Sequence, residues 1–332
     1  MLKYNKNQKI YVVCPAYGKT GGLELLHQLV YELNSIGLNA KITYINVTNE
    51  NPINPAFEKY VKDYVNFYEM EDSSENLVIF PEILIEFFDK VKECKRIVWW
   101  LSVDNYEKMY SPKKAFELLG IIGVLYYIKH KRWRYRVSKV KDKIELNLAQ
   151  SYYAIDYLNK KNFKNIYYLS DYINEEYLLN PQLDMKRNNV VLYNPKKGKE
   201  FTKFLMSLDK NIEWIPLINL SNKQVKELLE TSKIYIDFGN HPGKDRFPRE
   251  AASCGCCIIT GKDGSANFYN DIPIPDKYKF KRDKKNGEFI INQIKDCLIN
   301  YDENYKEFNT YRTFINSEPE IFSKDTWKIF KE

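Results

Sequence analysis

The sequence predicts an α/β protein made of two doubly wound domains in tandem. Three observations carry that expectation. The 332 residues exceed one ordinary domain and suit two of about 150. Short apolar runs of strand type alternate with stretches of helical period through most of the chain. The alternation pauses once, over 171–189, and then resumes.

In the first half, residues 10–16 form a buried-strand run. Residues 21–36 follow with the apolar spacing of a helix (Leu25, Leu26, Leu29, Val30, Leu33), and Gly37 stops it where a left-handed residue is wanted. Residues 40–47, 77–80 and 96–103 read as further strands, with a helix over 82–92. A strand at 146–149, a helix at 152–161 and a strand at 166–169 complete the half. Helices of this length between strands imply right-handed crossovers and a mainly parallel sheet.

The stretch 171–189 is polar, holds Pro181 and keeps no period, so it reads as a linker. Strands at 190–193, 212–217, 234–238 and 257–260 then alternate with helices at 200–208, 222–230 and 248–254. The chain from 280 onward is charged and largely helical. The expected organisation is an N-terminal domain over 1–172, a linker over 173–189, a C-terminal domain over 190–310 and a helical tail over 311–332. In open sheets of this kind ligands bind at the carboxyl ends of the strands, which places a cleft between the two domains.

A hydrophobic share of 44% and a charged share of 29% exclude a disordered chain. The net charge of +7 suits an anionic ligand or surface and does not by itself indicate nucleic acid. The six cysteines lack the two paired C-x-x-C arms of a zinc site, and three histidines are few for a metalloenzyme. The thiols read as small apolar core residues in a reducing compartment. No n-region and h-region precede the first strand, and the longest apolar run, 118–128, is too short to span a bilayer. A cytoplasmic protein follows, soluble or attached to a membrane face.

The sharpest chemical signal is 234–268, IYIDFGNHPGKDRFPREAASCGCCIITGKDGSANF. A buried strand opens into a loop with Gly239 and Gly243. Lys244 and Arg246 stand just before a helix that Pro248 can start, because a first-turn proline has no N–H to lose. Free N–H groups, the helix dipole and two cations favour a phosphate there. Glu250, read in the first turn, has a carboxylate suited to vicinal hydroxyls such as those of ribose. The bland readings are a first-turn acid serving the dipole and a solvated basic pair. The loop 261–266, with Gly264, Ser265 and Ala266, again offers backbone N–H groups at the sheet's carboxyl edge.

At Phe247-Pro248-Arg249-Glu250-Ala251-Ala252-Ser253-Cys254-Gly255 the chain resembles the C-terminal domain of GT-B glycosyltransferases, especially the retaining family 4, or group 1, enzymes with their G-x-P-x-x-E-A-x-A-x-G segment. The resemblance implies the GT-B fold, two Rossmann-like domains facing across a cleft, and a nucleotide-diphosphate sugar as donor substrate with no cofactor required. It assigns the ribose to Glu250. The family's second glutamate lies eight positions earlier, where this chain has Pro242, which leaves the donor sugar to His241, Lys244 or the Gly264 loop. The loop LYNPKKGKEF is similar to the family's Lys-Gly loop on the donor diphosphate, through Lys196, Lys197 and Gly198. Gly21 and Gly22 resemble the glycine loop of the family's N-terminal domain. A full G-x-G-x-x-G is missing, so a dinucleotide fingerprint is not supported.

An inverting enzyme needs a base near the acceptor hydroxyl. Asp104, in WLSVDNY, is a candidate beside the reading as a turn or N-cap residue. Glu24 stands near the glycine loop, and His27 reads as a core histidine. No D-x-D triplet ends a strand, so no metal is expected, and cations with the helix dipole must stabilise the leaving diphosphate. The stretch 118–143, LLGIIGVLYYIKHKRWRYRVSKVKDK, runs from apolar to basic with Trp133 and Tyr135. It reads as a contact with an anionic membrane surface, as a nucleic-acid strip, or as a buried helix followed by a solvated basic face.

The function expected is transfer of a sugar to a glycan or lipid-linked glycan acceptor, in bacterial surface-polysaccharide synthesis at the inner face of the cell membrane, with no nucleic-acid partner. The alternatives are a sugar-nucleotide epimerase or hydrolase of the same fold, or a non-catalytic binding module.

Overall fold

A computed structural model describes residues 7–48, 51–178 and 186–332. The polar start and part of the expected linker, including Pro181, lie outside the described residues. Two compact units emerge, Met1–Asp171 with Glu320–Glu332, and Tyr172–Pro319.

The first unit is built on a parallel sheet of seven strands: β1 (Lys9–Pro15), β2 (Asn39–Ile45), β3 (Val65–Asn66), β4 (Leu77–Pro81), β5 (Lys95–Trp100), β6 (Leu146–Ala149) and β7 (Ile166–Tyr168). Their order across the sheet is β3-β2-β1-β4-β5-β6-β7. Helix α1 (Gly21–Ser35) follows β1, with Thr20 Oγ1 accepting the Leu23 N–H at its start. Gly37 adopts φ 79°, and the N–H groups of Gly37 and Leu38 reach back to the Asn34 and Leu33 carbonyls. The expected helix over 82–92 is instead a 3-10 stretch, Glu82–Lys90, interrupted at Leu84. Helices α2 (Val103–Tyr110), α3 (Pro112–Lys129), α4 (Val137–Val140) and α5 (Tyr152–Lys160) complete the crossovers.

The second unit carries β8 (Asn188–Tyr193), α6 (Lys199–Leu208), β9 (Glu213–Pro216), α7 (Asn222–Thr231), β10 (Ser232–Asp237), α8 (Arg246–Ser253), β11 (Cys257–Gly261) and β12 (Lys279–Phe280). Its parallel strands lie in the order β12-β11-β10-β8-β9. Helices α9 (Gly287–Ile299) and α10 (Tyr301–Glu307) follow, with Ile290, Ile294 and Cys297 fully buried. All six cysteines are buried thiols. Helix α11 (Asn309–Phe330) contains Pro319, where the chain leaves the second unit, and its last residues rejoin the first. There Phe322 stacks on the buried Trp99, with ring centroids 6.2 Å apart.

Strand order reverses once in each sheet, between β1 and β4 and between β8 and β10. Those switch points leave a crevice at the carboxyl edge, because the connections on either side depart in opposite directions. Among the described residues no helix is long and apolar enough to cross a membrane.

Candidate functional site

The β8/β10 switch point gathers the polar groups of the second unit. After β8 the chain turns over 194–198, with the Lys196 N–H on Asn194 Oδ1 and the Lys197 N–H on the Asn194 carbonyl. Gly198 closes the turn at φ 59°, and a Cβ there would lie 2.3 Å from the Phe238 carbonyl oxygen. Only glycine lets the Lys-Gly loop seat so closely on the exit of β10. Lys196 stays exposed, whereas Lys197 turns inward.

Lys197 Nζ lies 2.6 Å from Asp245 Oδ2. Asp245 precedes α8 but makes no capping bond. Its carboxylate instead takes Lys197 on one side and His241 Nδ1, 3.0 Å away, on the other. His241 is completely buried, and its Nε2 lies 3.7 Å from Asp237 Oδ1. Asp237 in turn accepts the Gly239 N–H at 2.9 Å and the Tyr235 hydroxyl at 3.2 Å. Two carboxylates, an ammonium and an imidazole thus share one low-dielectric pocket. Burial pulls the His241 imidazole down, but the bond to Asp245 and the fields of both carboxylates outweigh it and raise its pKa. Burial raises Asp245, yet His241 and Lys197 together hold it below the usual carboxylate value.

Asp237, His241 and Asp245 offer ligand atoms within 4.8 Å of one another, enough to chelate a metal ion. Lys197 already places a cation on the Asp245 carboxylate. The motif reading of the sequence missed this chain of charges, because its members are spaced four apart along an irregular loop rather than on a helix.

Three sequence expectations change here. Lys244 turns inward, onto Glu318. It is 3% exposed, with Nζ 2.6 Å from Glu318 Oε1 and 4.6 Å from the Phe314 ring centroid. Arg249 Nη1 meets the other oxygen of Glu318 at 2.8 Å and also donates to the Lys244 and Asp245 carbonyls. Second, α8 starts at Arg246, so Pro248 is its third residue and Glu250 lies beyond the first turn. Pro248 is tolerated there because the first four N–H groups have no partner within the helix. Glu250 is half-buried. Third, Ser265 and Ala266, in the loop after β11, turn their donors onto the protein itself. The Ser265 N–H goes to the His241 carbonyl, its hydroxyl to Gly243 O at 2.6 Å, and the Ala266 N–H to Asp263 O.

Arg246 opens α8 and is half-buried. Arg282, which sequence reasoning passed over, comes from just beyond β12. It reaches the Phe238 carbonyl and Asn240 Oδ1, each at 3.2 Å, with Asp263 at 3.6 Å. Finding it required recognising β12, a strand of two residues.

In the first unit, Gly21 and Gly22 open α1 beside the β1/β4 switch point. Glu82 follows β4 directly, is buried, and accepts the Leu101 N–H at 2.9 Å. Burial pushes its carboxyl up to about 7 despite that bond. Asp104 is the second residue of α2, whose cap is Ser102, and its carboxylate accepts the Tyr153 hydroxyl at 2.7 Å. Glu24 accepts the Tyr60 hydroxyl at 3.0 Å. His27 is a core histidine, with Nδ1 on the Leu23 carbonyl and Nε2 on the Tyr44 hydroxyl, and burial pushes it down to about 4.

No protein-family model and no curated protein matches the chain. Solved structures do. Anabaena HepE, in complex with UDP-glucose, superposes with a TM-score of 0.62 at 13% identity over 97% of this chain and 99% of its own. WaaG, a glycosyltransferase involved in lipopolysaccharide biosynthesis, gives 0.59 at 10% identity over 98% and 100%. S. aureus TarM, in complex with fondaparinux, α-GlcNAc-glycerol and UDP, gives 0.56 at 13% identity over 82% of this chain, which spans 60% of TarM. These likenesses establish the fold type, GT-B, with two parallel α/β units of seven and five strands.

Proposed function

We propose that this chain is a glycosyltransferase that moves a sugar from a nucleoside-diphosphate sugar to a glycan or lipid-linked glycan acceptor in bacterial surface-polysaccharide assembly. One observation carries the proposal. At the switch point of the second sheet, a glycine loop seated on the exit of β10 aims Lys197 at Asp245, the residue that leads into the positive dipole end of α8.

Lys197, Lys196 and Arg246 are assigned to the donor diphosphate, with Gly198 and Gly239 allowing its close approach. The half-buried carboxylate of Glu250 is assigned to the ribose hydroxyls. His241 is too deeply buried to touch the sugar, so its part is to hold Asp245 and, through it, the resting position of Lys197. As the bond from the sugar C1 to the diphosphate breaks, Lys197, Arg246 and the α8 dipole stabilise the departing oxygen. A bond from C1 to the acceptor oxygen forms. The acceptor proton leaves to a carboxylate such as Asp104 in an inverting reaction, or to the departing diphosphate in a retaining one. Gly21 and Gly22 are assigned to the acceptor side. With these cations in place, activity is expected to survive chelation of metals.

HepE and an α-glucosyltransferase were each solved with UDP or UDP-glucose, so uridine diphosphate is the first donor to try. Thermal unfolding with a panel of nucleoside diphosphates tests the site. A ligand at a hundredfold its Kd adds about 2.7 kcal/mol to stability. One nucleotide should raise the Tm of the wild type and fail to do so in Lys197→Ala and Glu250→Ala. A folded wild type that responds to none of them would sink the donor site. Pro242, where the related enzymes have a glutamate, favours a second reading, a donor-binding module without turnover. Release of UDP from a sugar donor would exclude that reading.

A further inference from the structure

Helix α3 is inside out. An ordinary surface helix turns its apolar stripe toward the core. Here Tyr127 and Gly123 face the protein, while Leu119, Ile121, Ile122, Leu125 and Ile128 face away from it. Ile121 and Ile122 are 72% and 74% exposed, as far from buried as any large apolar side chain among the described residues of the first unit. The helix breaks at Gly120, φ 58°, which brings Gly123 against the Ala115 carbonyl and presents the second half as a separate aliphatic ridge.

The surroundings of the ridge are basic. Residues 112–143 hold ten Lys or Arg and two acids, a net +8, whereas the whole chain carries +7. The entire positive excess of the protein therefore lies in this segment. Lys129, Lys131, Arg136 and Lys139 are exposed beside the ridge. Tyr126 and Trp133 stand half out of the surface, and Arg132 covers the Tyr126 ring at 5.1 Å. Such rings favour the boundary between apolar and aqueous phases.

We propose that α3 docks on an anionic lipid bilayer, with its aliphatic ridge among the acyl chains and the flanking cations on the headgroups. Charge selects this occupant. A second copy of the chain would oppose +8 to +8 across the apolar contact. A nucleic acid would meet the cations but leave the isoleucines and leucines wet. A bilayer with acidic headgroups satisfies both at once. The surface names where the acceptor of the proposed reaction resides, and it rests on that reading for its purpose alone.

The test is co-sedimentation of the full chain with vesicles of phosphatidylcholine, with or without phosphatidylglycerol. Binding is expected to the mixed vesicles and not to the neutral ones. Ile122→Asp should weaken it by about tenfold or more, Lys129→Glu with Lys131→Glu should also weaken it, and Ile122→Leu should leave it intact. Both sites are exposed, so unchanged near-ultraviolet circular dichroism is expected and shows that each variant folds. Equal binding to both vesicle types, or indifference to Ile122→Asp in a folded variant, would overturn the proposal. Dimerisation abolished by Ile122→Asp, without vesicle binding, would overturn it in favour of a second copy. Oligonucleotide binding that survives Ile122→Asp, without vesicle binding, would overturn it in favour of nucleic acid. Failure here leaves the nucleotide-dependent Tm shift untouched, and failure of that shift leaves vesicle binding untouched.

Discussion

Glu318→Gln is the most informative single substitution in the second unit. It keeps the shape of the side chain and removes the carboxylate charge that faces both Lys244 and Arg249, at 2.6 and 2.8 Å. None of the three groups has access to water, so neither cation can be rescued by solvent. Arg249 cannot release a proton, but it keeps its bonds to the Lys244 and Asp245 carbonyls. Lys244 escapes by deprotonating, at about 1.36 kcal/mol for each pH unit below its free value near 10.4. That route costs about 4.6 kcal/mol at pH 7 and about 1.9 at pH 9, which bounds the Lys244 part of the loss. We expect the variant to lose roughly 3–5 kcal/mol at pH 7 and to recover about 1–3 kcal/mol of it by pH 9. Guanidinium unfolding measures the loss, and hydrogen exchange of β10 and β11 amides assigns it to the second unit. A deficit below about 1 kcal/mol at pH 7, or one that ignores pH, would refute the buried triad.

Other expectations follow the same physics. Because its folded pKa is raised, His241 stabilises the fold fully below its unfolded value near 6.5 and loses that contribution as pH climbs through the raised value. The stability gap between wild type and His241→Gln, measured by urea unfolding, should therefore narrow as pH rises from 6 to about 8. Glu82 holds its proton to about 7 in the fold, against 4.5 when unfolded. The wild type should lose roughly 3 kcal/mol across that window, and Glu82→Gln should not. Gly198→Ala meets both a left-handed backbone and the Phe238 carbonyl, so it should cost at least about 1–2 kcal/mol and abolish the nucleotide-dependent rise in Tm. Chelation with EDTA should leave the initial rate unchanged if Lys197 and Arg246 carry the charge of the departing diphosphate.

The elements that were legible announced themselves locally. Gly37 ends α1 by a backbone rule alone, and the centres of the β10 and β11 runs are apolar, as parallel strands covered on both faces must be. β3 and β12 were not legible, since two residues carry no period. Arg282 was lost with β12. The start of α8 was misplaced because Pro248 satisfies the first-turn rule at several positions, and Asp245 spends its carboxylate on Lys197 and His241 rather than on a cap. Lys244 looked like a ligand cation because its partner, Glu318, lies on the last long helix. For α3 the apolar run was visible, but composition cannot say whether anything covers it, and here none of the described residues of the first unit does.

The path of α11 sets a schedule for synthesis. Residues 1–171 leave the ribosome first, yet the segment 320–332 that completes their unit is made after all of 172–319. Until then the face of Trp99 on which Phe322 stacks lacks that ring. The early half must wait, with an aromatic patch open, while the later half folds. A stop codon placed just after Pro319 would thus injure the unit translated first, and the burden of keeping it soluble in the interval falls on chaperones.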